Sequence, residues 1–310
     1  MTQPISIAIA GVGKIARDQH VPTIAADPNF RLAATLSRHN ALDGVPAFTS
    51  LADLHRALPD LQAIAICTPP RGRLELVREA IALGLDVMLE KPPAASLSEA
   101  EALVAAAAAS GSVLHITWHS REAAAVEPAR AWLAGRAIRR VAIDWKEDVR
   151  VWHPGQEWIW EPGIGVFDPG INALSVVTRL LPGALLLDRA RLRFPANKAA
   201  PIAADLSLRS DDGAPVAVAF DFDQRGPQSW DIVIETDRGT LALGEGASKM
   251  AVDGAPVAVP DVPEYARLYQ RFAELVAARE SDTDLSPFRL VADAFLLGER
   301  ETVGAFDWNG

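Results

Sequence analysis

Residues 5–16 read ISIAIAGVGKIA, and few folds accommodate such a run. Ile5, Ile7 and Ile9 alternate with Ser6, Ala8 and Ala10, so neither face of the segment calls for water. That is expected of a central strand in a parallel sheet covered on both sides. At its end Gly11 can take the angles of a tight turn, Gly13 lets a pyrophosphate approach bare amides, and Ala16 lets the next helix pack on the strand. The helix N-terminus then offers an anion site. A GxGxxA turn also arises by chance. Between a buried strand and a helix it reads as a dinucleotide-binding turn, with Gly11, Gly13, Lys14 and Ile15 against the cofactor.

The rest of the chain bounds what surrounds this turn. At 310 residues, 49% hydrophobic and 23% charged, it is long enough for two domains with proper cores. A net charge of −10 argues against a nucleic-acid partner, which requires a basic surface. The single cysteine, Cys67, excludes an intrachain disulfide. The six histidines are scattered without ligand spacing, so no metal site is expected. The chain enters its first strand without a basic leader, and no apolar run reaches the roughly 18 residues of a membrane span, so a cytoplasmic protein is expected.

Residues 31–37 read as a second strand, RLAATLS, whose end is where such folds choose between two cofactors. An NAD site places Asp or Glu there for the ribose hydroxyls. This chain has Ser37, Arg38 and His39. A hydroxyl and a guanidinium suit a 2′-phosphate, which favours NADP over NAD. A third strand over 61–67 ends in Cys67, which reads as a small hydrophobe. Cys67, Thr68 and Pro69 sit at the carboxyl end of the sheet, the cofactor side.

A helix over 71–83 stops at Gly84, and a short strand over 86–89 leads into Glu90-Lys91-Pro92-Pro93. This places Glu90 at the cofactor and brings Lys91 within reach of a nicotinamide and the group it oxidises. An alanine-rich helix over 96–109, capped by Ser96 or Ser98, precedes a strand over 112–118. His119 at that strand's end is a candidate substrate contact.

With GVGKIA at 11–16, EKP at 90–92 and their spacing, the chain resembles the Gfo/Idh/MocA oxidoreductases, the family of glucose-fructose oxidoreductase and inositol dehydrogenase. The resemblance implies that Lys91 works at the active site. It also implies a Rossmann dinucleotide-binding domain followed by an α+β domain with a large open-faced sheet.

From about residue 121 the pattern changes to mostly strands, at 140–149, 187–194, 203–209, 216–222, 230–235 and 240–242, with hairpin turns at 211–213 and 237–239. The expected organisation is a Rossmann domain over 1–120 and a mainly antiparallel substrate domain over 121–310. Amphipathic helices over 265–278 and 287–301 end the chain. In the family such helices help join the domains, so these are candidates to pack back on the first. An open sheet face would suit a homo-oligomer.

Chemistry-bearing residues crowd the segment 145–172. Trp145, Trp152, Trp158 and Trp160 accompany Glu147, Asp148 and His153. Indoles beside carboxylates and imidazoles suit the apolar faces and hydroxyl rims of a sugar, although at least half of these indoles are expected to fill the core. In VFDPGIN, Asp168 and Asn172 are four apart and share a helix face if the helix starts by Asp168. Alternatively, Asp168 is a helix cap and Asn172 a surface amide. The family commonly has Asp-x-Gly-x-His here. Asn172 replaces that histidine and cannot serve as a base, so the role passes to Asp168 or Lys91.

The strings GKIARDQH, WKEDVRVWHPGQEWIWEPG and VFDPGINALS are most similar, within the family, to the bacterial 1-dehydrogenases of L-arabinose and D-galactose. That resemblance implies oxidation of the anomeric carbon of a pentose or hexose to a lactone. The sugar's C1 would lie against the nicotinamide, with Lys91 and Asp168 flanking its hydroxyl. Asn172, Glu147, His153 and His119 would hold oxygens, and Trp152 and Trp230 would pack on the ring. A dinucleotide-binding regulator and an inositol or diol dehydrogenase are the alternatives.

Overall fold

The computed structural model describes residues 3–309, which divide into two compact units, 3–119 with 263–285 and 120–262 with 286–309.

The first unit is a doubly wound α/β layer. Strands β1 (Ile5–Ala10), β2 (Phe30–Leu36), β3 (Ala47–Phe48), β4 (Ala63–Ile66), β5 (Asp86–Glu90) and β6 (Leu114–Thr117) form a wholly parallel sheet in the order β3-β2-β1-β4-β5-β6. Both faces of β1 are buried, as its composition requires. Ala8 and Ala10 belong to a core with Leu54, Val77, Ile81 and Leu103. Ile7 and Ile9 belong to another with Phe30, Tyr265, Tyr269 and Phe272. The helix Glu264–Ala278, far along the chain, thus covers the second face.

The sequence reading places most of these elements within one to three residues and omits two. β3 is two residues long, and the helix Leu51–Ala57 carries its own start signal in Ser50, whose hydroxyl accepts from the Asp53 amide at 3.1 Å. Of the two candidate caps for the alanine-rich helix, Leu97–Ser110, Ser96 is the one used.

The second unit is built on a nine-stranded sheet. Its strands are β7 (Ile138–Lys146), β8 (Leu185–Pro195), β9 (Ala203–Ser210), β10 (Pro215–Asp221), β11 (Ser229–Thr236), β12 (Gly239–Gly244), β13 (Lys249–Val252), β14 (Ala255–Val257) and β15 (Glu299–Val303). They lie in the order β14-β13-β12-β11-β7-β10-β9-β8-β15, antiparallel except where β10 meets β7 and β15 meets β8. In β9, Ala204, Leu206 and Leu208 are buried while Asp205, Ser207 and Arg209 face out. That alternation is the mark of a sheet covered on one side.

Two expected elements differ in the structure. The expected strand over 140–149 ends at Lys146, because Asp148 accepts from the Arg150 amide at 2.9 Å and starts a short helix, Val149–Trp152. The expected helix over 287–301 is the helix Ser286–Leu297 followed by an edge strand. A side chain at Gly298 would meet the Ala294 carbonyl oxygen at 2.3 Å, so the chain turns there and pairs Glu299–Val303 with β8. β13 and β14 complete the hairpin edge beyond the last expected strand. Among the described residues no helix is long and apolar enough to cross a membrane.

Candidate active site

The glycine turn has the form that a dinucleotide needs. Gly11 has φ +89°, and a Cβ there would lie 2.8 Å from the Thr68 nitrogen and 2.9 Å from the Cys67 carbonyl carbon. Only glycine fits between β1 and the loop after β4. A Cβ at Gly13, by contrast, would meet nothing within 4 Å, which leaves its amide approachable. The hydroxyl oxygen of Thr68 is buried with no hydrogen-bond partner, the condition of a group awaiting a ligand. These residues fit a dinucleotide.

Lys14 and Ile15, both exposed, open the helix, which continues as a π-helical turn Ala16–His20 before Val21–Ala26. Cys67 and Thr68 are half-buried and Pro69 is exposed. Ser37 directly follows β2, its hydroxyl accepting from the Asn40 amide at 3.2 Å, and Arg38 beside it is exposed.

At the end of β5, Glu90 and Lys91 part ways. Lys91 is half-buried and precedes a cis bond to Pro92. Glu90, read from sequence as a cofactor contact, is 4% exposed and turned to internal partners. Its Oε1 accepts from Tyr265 Oη at 2.7 Å and lies 3.0 Å from His20 Nε2, and its Oε2 accepts the Lys91 amide at 3.1 Å. Burial would raise the Glu90 carboxyl, but the bond and charge of His20, the nearby His119 and the Tyr265 hydroxyl outweigh it and hold the group at about 2. Burial likewise opposes the charged form of His20, yet Cys67, Tyr269 and Glu90 raise it well above its ordinary value.

His119 follows β6 in a short 3₁₀ turn, and its Nδ1 lies 2.7 Å from Glu264 Oε2. Together with Ile15, Gln19 and Tyr265 this pair lines a cavity of about 310 Å³.

The second unit collects the remaining residues into two groups. Glu147, buried just past β7, accepts from Trp230 Nε1 on β11 at 2.8 Å. Trp152 is 46% exposed, meets the Trp230 ring edge to face at 5.8 Å, and is fixed by its Nε1 donating to Gln228 at 2.7 Å. His153 ends the short helix, held between the rings of Trp158 and Phe222 at 5.6 and 5.8 Å. Its Nε2 lies 3.3 Å from Asp168 Oδ2.

Asp168 is the second residue of the helix Phe167–Leu180, so it is not the cap, and Asn172 follows one turn later, half-buried. That helix sits tightly on the sheet, because a Cβ at Gly170 would lie 2.7 Å from the Phe220 ring of β10. Trp145 and Trp160 are core indoles, two of the four in the segment. Asp148, between Arg150 at 3.1 Å and Arg225 at 3.8 Å, is structural.

Sequence reasoning missed Tyr265, His20, Gln228 and Glu264. Tyr265 and Tyr269 are the chain's two tyrosines, four apart in one helix. That pairing was the available signal.

Comparison with known proteins gives this geometry a context. The family described as "Oxidoreductase family, NAD-binding Rossmann fold" (GFO_IDH_MocA) matches residues 5–118. Galactose 1-dehydrogenase of Pseudomonas fluorescens is 46% identical over 304 residues, covering 98% of this chain and 99% of that protein. The crystal structure of D-galactose-1-dehydrogenase from Rhizobium etli superposes with a TM-score of 0.95 at 50% identity, covering 99% of each chain. KijD10, a 3-ketoreductase from Actinomadura kijaniata in complex with NADP and TDP-benzene, has a TM-score of 0.83 at 18% identity over 97% of this chain and 99% of its own, and so shares the fold. The chain belongs to the Gfo/Idh/MocA oxidoreductases, with an NAD(P)-binding Rossmann domain at its N-terminal end.

Proposed function

We propose that this protein is a galactose 1-dehydrogenase that oxidises the anomeric carbon of D-galactose, and of L-arabinose, to the lactone, using NADP in preference to NAD. The observation that carries the reading is the Asp168–His153 pair at 3.3 Å, in the same unit as Glu147 bonded by the Trp230 indole. Near full-length likeness to a galactose 1-dehydrogenase supports it.

Oxidation removes a hydride from C1 and a proton from its hydroxyl. The bound nicotinamide supplies the hydride acceptor. Positive charge builds at C1 as hydride leaves, so a carboxylate is the favoured proton acceptor. Asp168 takes the proton, His153 beside it steadies the carboxylate, and Asn172, which cannot be a base, hydrogen-bonds a sugar oxygen. Lys91 serves the reacting end of the sugar. Glu147, oriented by Trp230, accepts from a ring hydroxyl, and the exposed Trp152 offers its face to the sugar's C–H surface. L-Arabinose is D-galactose without the exocyclic CH2OH, so both fit one set of contacts.

Gly11, Gly13, Lys14, Ile15, Cys67, Thr68 and Pro69 would hold the dinucleotide, with Ser37 and Arg38 on the 2′-phosphate. The outward face of the sheet, with Asp205, Ser207, Arg209 and Ala217, is offered to another copy of the chain, and sedimentation would show a homo-oligomer. The reading is tested by following NADPH formation with D-galactose, L-arabinose, D-glucose and myo-inositol. Turnover of the first two supports it, and tight NADP binding without turnover of any sugar would indicate a regulator.

A further inference from the structure

Beneath Lys91 lies a buried polar cluster that the proposed chemistry does not use. His20 is fully buried, and its Nδ1 lies 2.8 Å from Tyr269 Oη while its Nε2 reaches Glu90. Its ring meets Tyr265 and Tyr269 edge-on at 5.2 and 5.7 Å. Arg73, 3% exposed, donates to the carbonyl oxygens of Glu90 and Pro92 and, through Nε at 2.7 Å, to that of Thr68.

Around these groups the core is Ile, Ala, Phe and Leu. An apolar residue in place of Glu90 would pack there without the cost of desolvating a carboxylate. The cluster therefore adds little to the fold that packing could not, and its contacts converge on one residue. Glu90 holds the Lys91 amide, and Arg73 holds the carbonyls on both sides of it. The backbone of Lys91 is fixed while its side chain remains half-buried at the ligand end of the sheet.

We propose that Glu90, oriented by His20 and Tyr265, is a positioning residue that sets the placement of the Lys91 ammonium for the reaction. The inference rests on the sugar dehydrogenase reading. The groups facing Glu90 are His20 on the π-helical turn, Tyr265 and Tyr269 on the helix Glu264–Ala278, His115 on β6, Arg73 and His119.

The test uses Glu90→Gln, which keeps the shape and loses the second acceptor, and Tyr265→Phe, which removes one hydroxyl. In Glu90→Gln, kcat on D-galactose should fall about tenfold or more, with KM for sugar and NADP affinity within about twofold. In a Lys91→Ala background the same change should add less than about twofold, because the residue it positions is gone. Acetylation of Lys91 by acetic anhydride, read by mass spectrometry against Lys14, should change about threefold or more in the full-length protein without substrate.

Additive losses in the Lys91→Ala background, or unchanged Lys91 labelling, would overturn the inference. Should the wild type oxidise no sugar, the functional reading fails while the labelling still decides this one. Should Glu90→Gln not fold, Tyr265→Phe takes the same measurements, with about threefold in kcat expected and additivity or unchanged labelling overturning the proposal.

Discussion

His153 Nε2 lies 3.3 Å from Asp168 Oδ2, joining an imidazole at the end of one short helix to a carboxylate in the first turn of another. The family's usual histidine position is occupied by Asn172, yet an imidazole reaches the aspartate from elsewhere in the same unit. We expect Asp168→Asn to lower kcat on D-galactose by about 10²–10⁴, the range for loss of a positioned base. His153→Asn should cost about tenfold, since the carboxylate remains and only its partner is lost. Steady-state kinetics on both variants check this, and an undiminished Asp168→Asn enzyme would remove aspartate from the chemistry.

On the NADP reading proposed above, cofactor choice turns on Arg38. If its guanidinium pairs with the 2′-phosphate, Arg38→Ala should raise KM for NADP about tenfold and leave that for NAD within about twofold, the worth of one charge-assisted bond. Initial rates with each cofactor report the ratio directly.

Stability should depend on pH through the pair beneath Lys91. The Glu90 carboxyl is held at about 2 in the fold against an ordinary 4.5, so its contribution is present above about 4.5 and is lost as pH falls toward about 2. His20 is raised above its ordinary 6.5, so its contribution is complete below that value and fades as pH rises through the raised one. Thermal melts between about pH 5 and pH 3 should show the wild type losing Tm more steeply than Glu90→Gln.

The contact between Gly170 and Phe220 is equally open to test. Gly170→Ala forces a methyl into the aromatic ring and should destabilise the protein by about 1–3 kcal/mol, with Phe220→Leu in the same chain recovering part of the loss. Denaturant melts of the single and double variants measure the coupling.

Much of this was legible in the residues themselves. A parallel sheet buried on both faces writes continuous apolar strands, so β1, β4 and β5 and their glycine and proline punctuation read directly. Asp168, His153, Glu147 and Trp152 announced themselves as polar and indole residues crowded into one segment. Their pairing did not, because His153 meets Asp168, and Trp152 meets Gln228, only once the second sheet brings separate segments together. Tyr265 was hidden for another reason. It occupies an apolar position of an amphipathic helix, and nothing local indicates that its hydroxyl is bound to Glu90. The edge strand β15 was masked by the helix periodicity running into it, although Gly298 marked the break.

The most direct measurement is the initial rate of NADPH formation by the purified wild-type protein, with NADP or NAD and a panel of D-galactose, L-arabinose, D-glucose and myo-inositol. The account predicts turnover with D-galactose and L-arabinose, faster with NADP than with NAD. No reduction with either aldose, or oxidation confined to myo-inositol, would contradict it.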